Sequence, residues 1–329
     1  MNTSSSASLH HTGLGRWGSL ALLLLLAALP QALAAVGLEF YTGVATRVLV
    51  FAIAASSLNL ILGFGGMVSF GHAAFVGLGA YTVAVLAEIG RAGHPLLLQA
   101  WLAWPLAMAV SAAAAAVIGA ISLRTRGVYF IMITLAFAQM FYFLVVSLKN
   151  YGGDDGLPLP ARSLLPGLNL ANDQQFYWLV LALAALVMAG LQRLLNAPFG
   201  WMLQGIKDNE TRMRALGTPV QRLQWQAFVL AAALAGLAGA LLVNLNGLVT
   251  PHMMHWSQSG QLMIMVIIGG AGLLWGGVLG AAVLLLLEEF LSGYTLHWQM
   301  ALGLLLLLVV LYAPQGMGAL LRRKEARHG

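Results

Sequence analysis

Residues able to carry out covalent or phosphate chemistry are scarce in this sequence of 329 residues. It contains no cysteine, which excludes disulfides, thiolate nucleophiles and cysteine metal sites. A P-loop needs Gly-Lys-Ser/Thr, but the three lysines follow Leu148, Ile206 and Arg323, so none is placed to hold a nucleotide's phosphates. No Ser/His/Asp set, paired carboxylate or metal cluster lies within the apolar segments. We therefore expect no catalytic residue, no bound metal or cofactor, and a partner that hydrolyses any ATP used.

Two polar motifs between the apolar segments could bind an ion or a protein. His252 and His255 are three residues apart, but no nearby carboxylate or cysteine completes a metal ligand set, so we interpret them as interfacial loop residues. Asp154 and Asp155 are adjacent among glycines and supply too few spaced oxygens for calcium. We expect these two carboxylates in a solvated loop, where they are also candidates for a docking surface.

Several polar residues interrupt otherwise apolar segments. Polar groups inside a membrane are costly and often functional, so they are candidates to line a translocation pathway, although interhelical hydrogen bonding is the simpler interpretation. Glu288 and Glu289 could form a proton relay, but they lie near the end of a segment and are more typical of an interface. The pathway candidates are Asn59, Ser69, His72, Thr134 and Gln139.

The composition indicates what must position these residues. Hydrophobic residues make up 60% of the chain and charged residues only 8%, whereas a soluble domain carries about 25% charged residues. The apolar runs are about 20 residues long, as transmembrane helices require, and longer than the strands of a membrane barrel. The sequence thus predicts an all-α polytopic membrane protein with about ten membrane segments, within a range of eight to ten.

The apolar segments can be placed along the chain. Residues 1–16 are predicted to form a disordered tail, and 316–329 a basic tail. The first segment, Trp17 to Val36, is either a retained span or a cleaved signal, since small residues follow Gln31 at cleavage-like spacing. The remaining segments are Thr42–Leu62, Met67–Glu88, Leu98–Leu123, Val128–Leu148, Phe176–Leu195, Trp225–Asn246, Ser259–Leu274, Trp275–Phe290 and Leu296–Tyr312.

Basic residues predict the orientation. With both termini cytoplasmic and ten alternating segments, all but four of the 16 lysines and arginines fall on the cytoplasmic side. The net charge of +6 is therefore explained by topology, and we expect no nucleic-acid partner. The four basic residues expected outside are Arg47, Arg91, Lys149 and Arg162.

One charged stretch, residues 196–222, stands out from the apolar chain, and we call it the island. Its ionisable residues are Lys207, Asp208, Glu210, Arg212, Arg214 and Arg222. Met202, Ile206, Met213 and Leu216 share one face of a helical wheel, and Gly217 followed by Pro219 predicts a helix end. The sequence predicts a short amphipathic helix in water between two spans. Its narrow apolar stripe and mixed charges favour a protein partner over the bilayer surface.

The two halves of the chain indicate an inverted repeat. Segments two to five enter from outside and segments seven to ten from inside, and each set contains a glycine-broken piece. The pieces are Gly63 to Tyr81 and Gly269 to Ala281. Discontinuous helices at corresponding positions are typical of a central transport pathway.

Four motifs in consistent order resemble the permease subunits of branched-chain amino acid ABC importers. They are LNLILGFGGMVSFGHAAFVGLGAY (58–81), RGVYFIMITLAFAQ (126–139) with GGDDGL (152–157), GIKDNETRMRALG (205–217) and IIGGAGLLWGGVLG (267–280). The second is similar to the M-type subunit in particular, and the third to the family's cytoplasmic coupling loop. Leu273 stands where this family often has serine. The resemblance covers roughly residues 40 to 315.

The resemblance implies a set of partners and a role for the island. The partners are a second, homologous permease subunit, two cytoplasmic ATPases that use ATP and Mg, and an extracytoplasmic binding protein that would dock near Asp154 and Asp155. The island would be the helix that couples to the ATPase, with its apolar stripe in a groove and its charges setting the register. The implied coupling residues are Met202, Ile206, Lys207, Asp208, Glu210, Arg212, Met213, Arg214, Leu216 and Gly217.

The implied substrates are leucine, isoleucine and valine, carried across a bacterial inner membrane. Permeases for urea or short amides look alike at this level and remain an alternative. A different class, a secondary transporter or channel that works without ATP, is the other hypothesis.

Overall fold

The structure is a computed structural model that describes residues 16–294 together with 297, 299, 300, 303, 304 and 307. Residues 1–15, the predicted tail at 316–329, and most of the predicted segment Leu296–Tyr312 lie outside these described residues. Eleven α-helices are present in the described part. They are α1 (Arg16–Ala35), α2 (Phe40–Asn59), α3 (His72–Arg91), α4 (Ala100–Ser122), α5 (Val128–Ser147), α6 (Asp173–Leu195), α7 (Pro198–Asp208), α8 (Glu210–Ala215), α9 (Val220–Asn246), α10 (Trp256–Gly269) and α11 (Gly276–Ser292).

Six of the described helices are long and apolar enough to cross a membrane. They are α2 with its extension to Phe64, α3, α4, α5, α6 and α9. The chain is therefore an all-α membrane protein, and the only strands in the described part are two residues each. Helices α10 and α11, of 14 and 17 residues, are shorter than a full span of about 20.

Helices α2, α3 and α9 form the centre of the bundle. Within their most apolar stretches 72% to 78% of the residues are buried, against 22% for α5. Alanine and glycine make this close packing possible, because small residues let helix backbones approach where lipid offers no hydrophobic driving force. Gly79 of α3 lies directly against Gly236 of α9, and Gly239 of α9 lies against Val76.

The break predicted at Gly63 to Gly66 is present. Helix α2 continues through a π-helical turn, Leu60–Phe64, and Gly66 then takes a positive φ of 68°. Helix α3 begins at His72, five residues after the predicted start of that segment. The second predicted break lies between α10 and α11, where Gly270 and Gly272 also have positive φ.

The connection between α5 and α6 lies at the end of the bundle away from the island, which we call the far end. It contains a two-residue strand β1 (Leu157–Pro158), paired antiparallel with β2 (Leu248–Val249) after α9. Leu157 pairs with Val249, and Pro158 pairs with Leu248. The predicted irregular loop is thus fastened to the end of a central helix.

Candidate functional site

The island folds as two helices and not as the single helix that the sequence predicted. Helix α7 ends at Asp208, Asn209 is extended with φ −157° and ψ 94°, and α8 begins at Glu210. The Asn209 side chain accepts a hydrogen bond from the Arg212 N–H, as an N-cap does. The wheel projection was wrong because it ran through this cap. The helix end predicted at Gly217 is present, with φ of 81°.

The predicted apolar stripe is divided by this break. Ile206 is buried in a small cluster with Val220 and Leu223 from the start of α9, and Met202 and Met213 pack on it. Leu216 points away and is 70% exposed. Three of the four stripe residues therefore hold the island together, and Leu216 alone is exposed.

Lys207 ties the island to the break in α2. Its ammonium donates a hydrogen bond to the Gly63 carbonyl at 2.6 Å. Its stem runs beside Gly66, where an added Cβ would come within 3.0 Å of Lys207 Cγ. In the π-helical turn, backbone carbonyls lose the N–H four residues later that is their usual α-helical hydrogen-bond partner. The Lys207 ammonium replaces that partner at the Gly63 carbonyl.

Asn59 joins the two glycine breaks to each other. Its side-chain amide donates to the Leu273 carbonyl at 2.7 Å and accepts from the Gly272 N–H at 3.0 Å. Gly63 fits between them, because an added Cβ would overlap both the Asn59 side chain and the Gly272 nitrogen. We call the set Asn59, Gly63, Lys207, Gly272 and Leu273 the island junction. It brings residues from three distant parts of the chain into direct contact.

The charges of the island form a partly paired outer face. Glu210 accepts from Arg214 at 2.8 Å within α8 and pairs with Arg126, before α5, at 3.0 Å. Asp208 and Arg212 are exposed. The outer face therefore offers charges of both signs beside the exposed Leu216.

A second polar group lies around the start of α3. The Ser57 hydroxyl donates to the Ala54 carbonyl at 2.7 Å, so the His72 Nε2 at 2.8 Å from it must carry a proton and donate. His72 is fully buried, and its Nδ1 has no hydrogen-bond partner within the described part of the chain. The Ser259 hydroxyl of α10 accepts from the Ala73 N–H at 2.9 Å. These bonds join α2, α3 and α10.

The other pathway candidates lie close to this group. Ser69 is buried and accepts from the Gly71 N–H at 3.3 Å. Thr134 is buried and bonds within its own helix, and its backbone carbonyl faces Gly71. Gln139 is half-buried, and its Nε2 is without a partner among the described residues. Interhelical bonds account for Asn59 and His72, and the assignment of all five residues to a pathway stays a prediction.

Asp154 and Asp155 are exposed at the far end. They stand on a tight turn in which Gly152 lies against the Gly156 carbonyl and Gly156 against Val249. The turn thus displays both carboxylates from a fastened base. Their role in docking stays a prediction.

Sequence reasoning missed the partners at the island junction. Lys207 was expected to face an ATPase, but its ammonium bonds the membrane-spanning region. The contact of Asn59 with Gly272 and Leu273 spans more than 200 residues, and no local pattern indicates such a pairing. Leu273 offered one signal, since it departs from the family pattern, although its contact uses the carbonyl and not the side chain.

Buried helices of membrane length that are broken by glycines and contacted by a charged segment are typical of transport proteins. The family model for "Branched-chain amino acid transport system / permease component" matches residues 40–311. The chain belongs to this family.

Named relatives agree with the family. The chain is 28% identical over 298 residues to the high-affinity branched-chain amino acid transport system permease protein LivM of Salmonella typhimurium, covering 83% of this chain and 69% of the relative. It is 27% identical to LivM of Escherichia coli K12 with the same coverage. It is 25% identical over 283 residues to LivH of the same strain, covering 81% of this chain and 90% of that protein. No solved structure matches.

Proposed function

We propose that the chain is the membrane-spanning permease subunit of an ATP-driven importer for leucine, isoleucine and valine. The family model and the printed names of the LivM and LivH relatives support this substrate class. The chain has no lysine in a P-loop context, which supports ATP hydrolysis with Mg by a separate subunit.

The proposed architecture is a permease domain over residues 17–315 that crosses a bacterial inner membrane about ten times, with both termini cytoplasmic. The six long helices would be joined by α1, α10, α11 and the segment at 296–312. The distribution of basic residues supports this orientation. The meeting of the two glycine breaks at Asn59 supports an inverted repeat, because discontinuous helices of two repeats come together at a transport site.

The observation that carries the proposal is the island junction. A displacement of α7 would move Lys207, which is hydrogen-bonded to the Gly63 carbonyl in the extension of α2. Gly63 and Asn59 in turn contact the break between α10 and α11. Closure of two ATPases on ATP would move the islands and shift both breaks together, opening or closing the cytoplasmic side. Such a transition needs a rigid link between docked helix and spans, and the junction supplies one.

The proposed partners occupy three surfaces. An ATPase would bind the outer face of the island at Leu216, Asp208 and Arg212, with Glu210 and Arg214 setting the register. A second permease subunit would pack on the poorly buried side of the bundle, which includes α5. The extracytoplasmic binding protein would dock at Asp154 and Asp155.

The test is uptake by the chain reconstituted with its partner subunits in proteoliposomes. Lys207→Met keeps an apolar side chain of similar length and removes the donor to the Gly63 carbonyl. A hydrogen bond from a charged group contributes about 1.5–3 kcal/mol. We expect ATP-driven leucine uptake to fall about tenfold or more, while ATP hydrolysis continues. Lys207→Arg should retain part of the uptake. Lys149→Met, an exposed lysine at the far end, is the matched control and should behave as wild type.

Other outcomes would change the proposal. Unaltered uptake in Lys207→Met would remove the junction from the coupling route, and unaltered uptake after charge reversal at Glu210 or Arg214 would remove the outer face. Competition by urea or a short amide in place of leucine would change the substrate. Uptake by this chain alone, driven by an ion gradient, would establish a secondary transporter.

A further inference from the structure

A basic pocket lies at the last residues of the island, apart from the junction and the outer face. It is a cavity of about 300 Å³ where the end of α4 meets the start of α9. Arg124, Gln221, Arg222 and Trp225 line it, together with Leu123 and the small residues before it. No carboxylate is among the described residues of its lining.

The two arginines of this pocket differ from their neighbours in having no counter-ion. Neither the Arg124 nor the Arg222 side chain makes an ion pair or hydrogen bond within the described part of the chain, and both residues are exposed. Arg126, only two residues from Arg124, is paired with Glu210. Two unpaired guanidinium groups at one cavity favour an anion, and their planar fork suits a phosphate in particular.

The remainder of the pocket suits a lipid and not only a free anion. Trp225 donates its indole N–H to the Ala116 carbonyl at 2.9 Å, so its ring is fixed against α4. Tryptophan is enriched at the level of lipid headgroups, where one side of the ring is apolar and the other wet. Val117 and Ile121 are 63% and 50% exposed and continue the Arg124 face of α4 at helical spacing. An apolar track therefore leads from the arginines along the helix into the membrane.

We propose that this pocket binds the phosphate-bearing headgroup of an anionic phospholipid from the leaflet on the island side. Arg124 and Arg222 hold the phosphodiester, Gln221 bonds the headgroup hydroxyls, and an acyl chain lies along Val117 and Ile121. Basic pockets between membrane helices on the cytoplasmic side recognise anionic lipids in this way. Since the last residues of the island form the first turn of α9, the lipid fastens the base of the island to α4.

The experiment is a titration of the full-length chain, purified in detergent, with phosphatidylglycerol or phosphatidylcholine, followed by native mass spectrometry. We expect the wild type to retain one phosphatidylglycerol more tightly than phosphatidylcholine. Arg124→Gln with Arg222→Gln should weaken that binding about tenfold or more, because both positive charges facing the phosphate are removed. Arg193→Gln, an exposed arginine at the island-side end of α6, is the matched control and should bind as wild type.

Further measurements distinguish a lipid phosphate from free phosphate and control for misfolding of the variants. Inorganic phosphate at millimolar concentration should not displace the lipid, and displacement would show a site for a free anion and overturn the proposal. Equal retention of phosphatidylcholine by the wild type would also overturn it, without any variant. Arg124→Lys with Arg222→Lys keeps both charges and should bind more weakly than wild type but more tightly than the glutamine pair. Wild-type binding by a folded glutamine pair would exclude the pocket.

Discussion

The far end and the island end of the bundle fasten their connecting segments by different means. At the far end, Arg162 donates to the Asn244 carbonyl at 3.0 Å and to the Leu170 carbonyl at 2.8 Å, and its guanidinium lies 4.6 Å from the centre of the Phe176 ring. The Asn244 side chain accepts from the Ser163 N–H at 2.7 Å. At the island end, α8 buries none of its residues, and α7 is held by the fully buried Leu203, the small apolar cluster and the Lys207 bond.

This difference indicates which end of the bundle can move more easily. Two bonds from the half-buried Arg162 to backbone carbonyls, with its ion pair to Asp173, leave the far-end loop little freedom, because all would have to break together. Helix α8 has no buried residue, which is typical of segments that open or shift at low cost, whereas Leu203 of α7 is fully buried in the main core. The Lys207 bond into the spans lies at Gly63, beside the glycine break. We therefore expect a displacement of the island to be transmitted through Lys207 to α2, while the far-end loop keeps its position.

Breaking the far-end anchor should have the largest effect on stability. Arg162→Ala removes the bonds to the Asn244 and Leu170 carbonyls and the ion pair with Asp173. We expect the free energy of unfolding to fall by about 4 kcal/mol. Unfolding by SDS in mixed micelles, or the Tm in detergent, measures it. Arg91→Ala at an exposed pair with Glu88 is the control and should change stability by less than about 1 kcal/mol. Equal effects of the two variants would remove the distinction between the ends.

Crowding the junction should have the next largest effect. In Gly63→Ala the new Cβ overlaps the Asn59 amide and the backbone of Gly272, which cannot move aside as a flexible side chain would. We expect a loss of about 1–3 kcal/mol in the same SDS titration, with impaired transport. Gly43→Ala, in the same helix with no atom within 4 Å of the added Cβ, should be neutral or more stable by about 0.5–1 kcal/mol. A stable, active Gly63→Ala would mean that the two breaks need not touch.

The sequence predicted some of these features and could not predict others. The break at Gly63 to Gly66 and the helix end at Gly217 followed from glycine placement, which is a local signal. The helix break at Asn209 also has a local signal, because asparagine is a common N-cap and its side chain accepts from the Arg212 N–H. The helical wheel took no account of a break at this position. The hydrogen-bond partners of Asn59 and Lys207 could not be predicted from the sequence. Hydrophobic periodicity indicates which face of a helix is buried, but not which segment packs against that face.

Emptying the small island cluster should have a moderate and local effect. Ile206→Ala removes a buried side chain whose loss typically costs about 2–5 kcal/mol in a large core, and we expect about 2 kcal/mol here because the cluster is small. Amide hydrogen exchange should accelerate across α7 and α8 and remain unchanged at the far end. Leu216→Ala, which removes an exposed side chain, should leave exchange in the isolated chain as in the wild type. Faster exchange at both ends would show one cooperative unit and contradict the comparison.

Neutralising Glu210 should have the smallest effect on the fold. Glu210→Gln breaks the pairs with Arg126 and Arg214, but both arginines are well exposed, and such pairs contribute about 0–1 kcal/mol. We expect hydrogen exchange in α8 to rise slightly at low ionic strength and to match the wild type at about 1 M salt, where charges are screened within roughly 3 Å. A loss comparable to that of Ile206→Ala would mean that charge, and not the apolar cluster, holds α8 in place. The outer face would then be part of the anchor, and the proposed ATPase could not bind those charges without loosening the island.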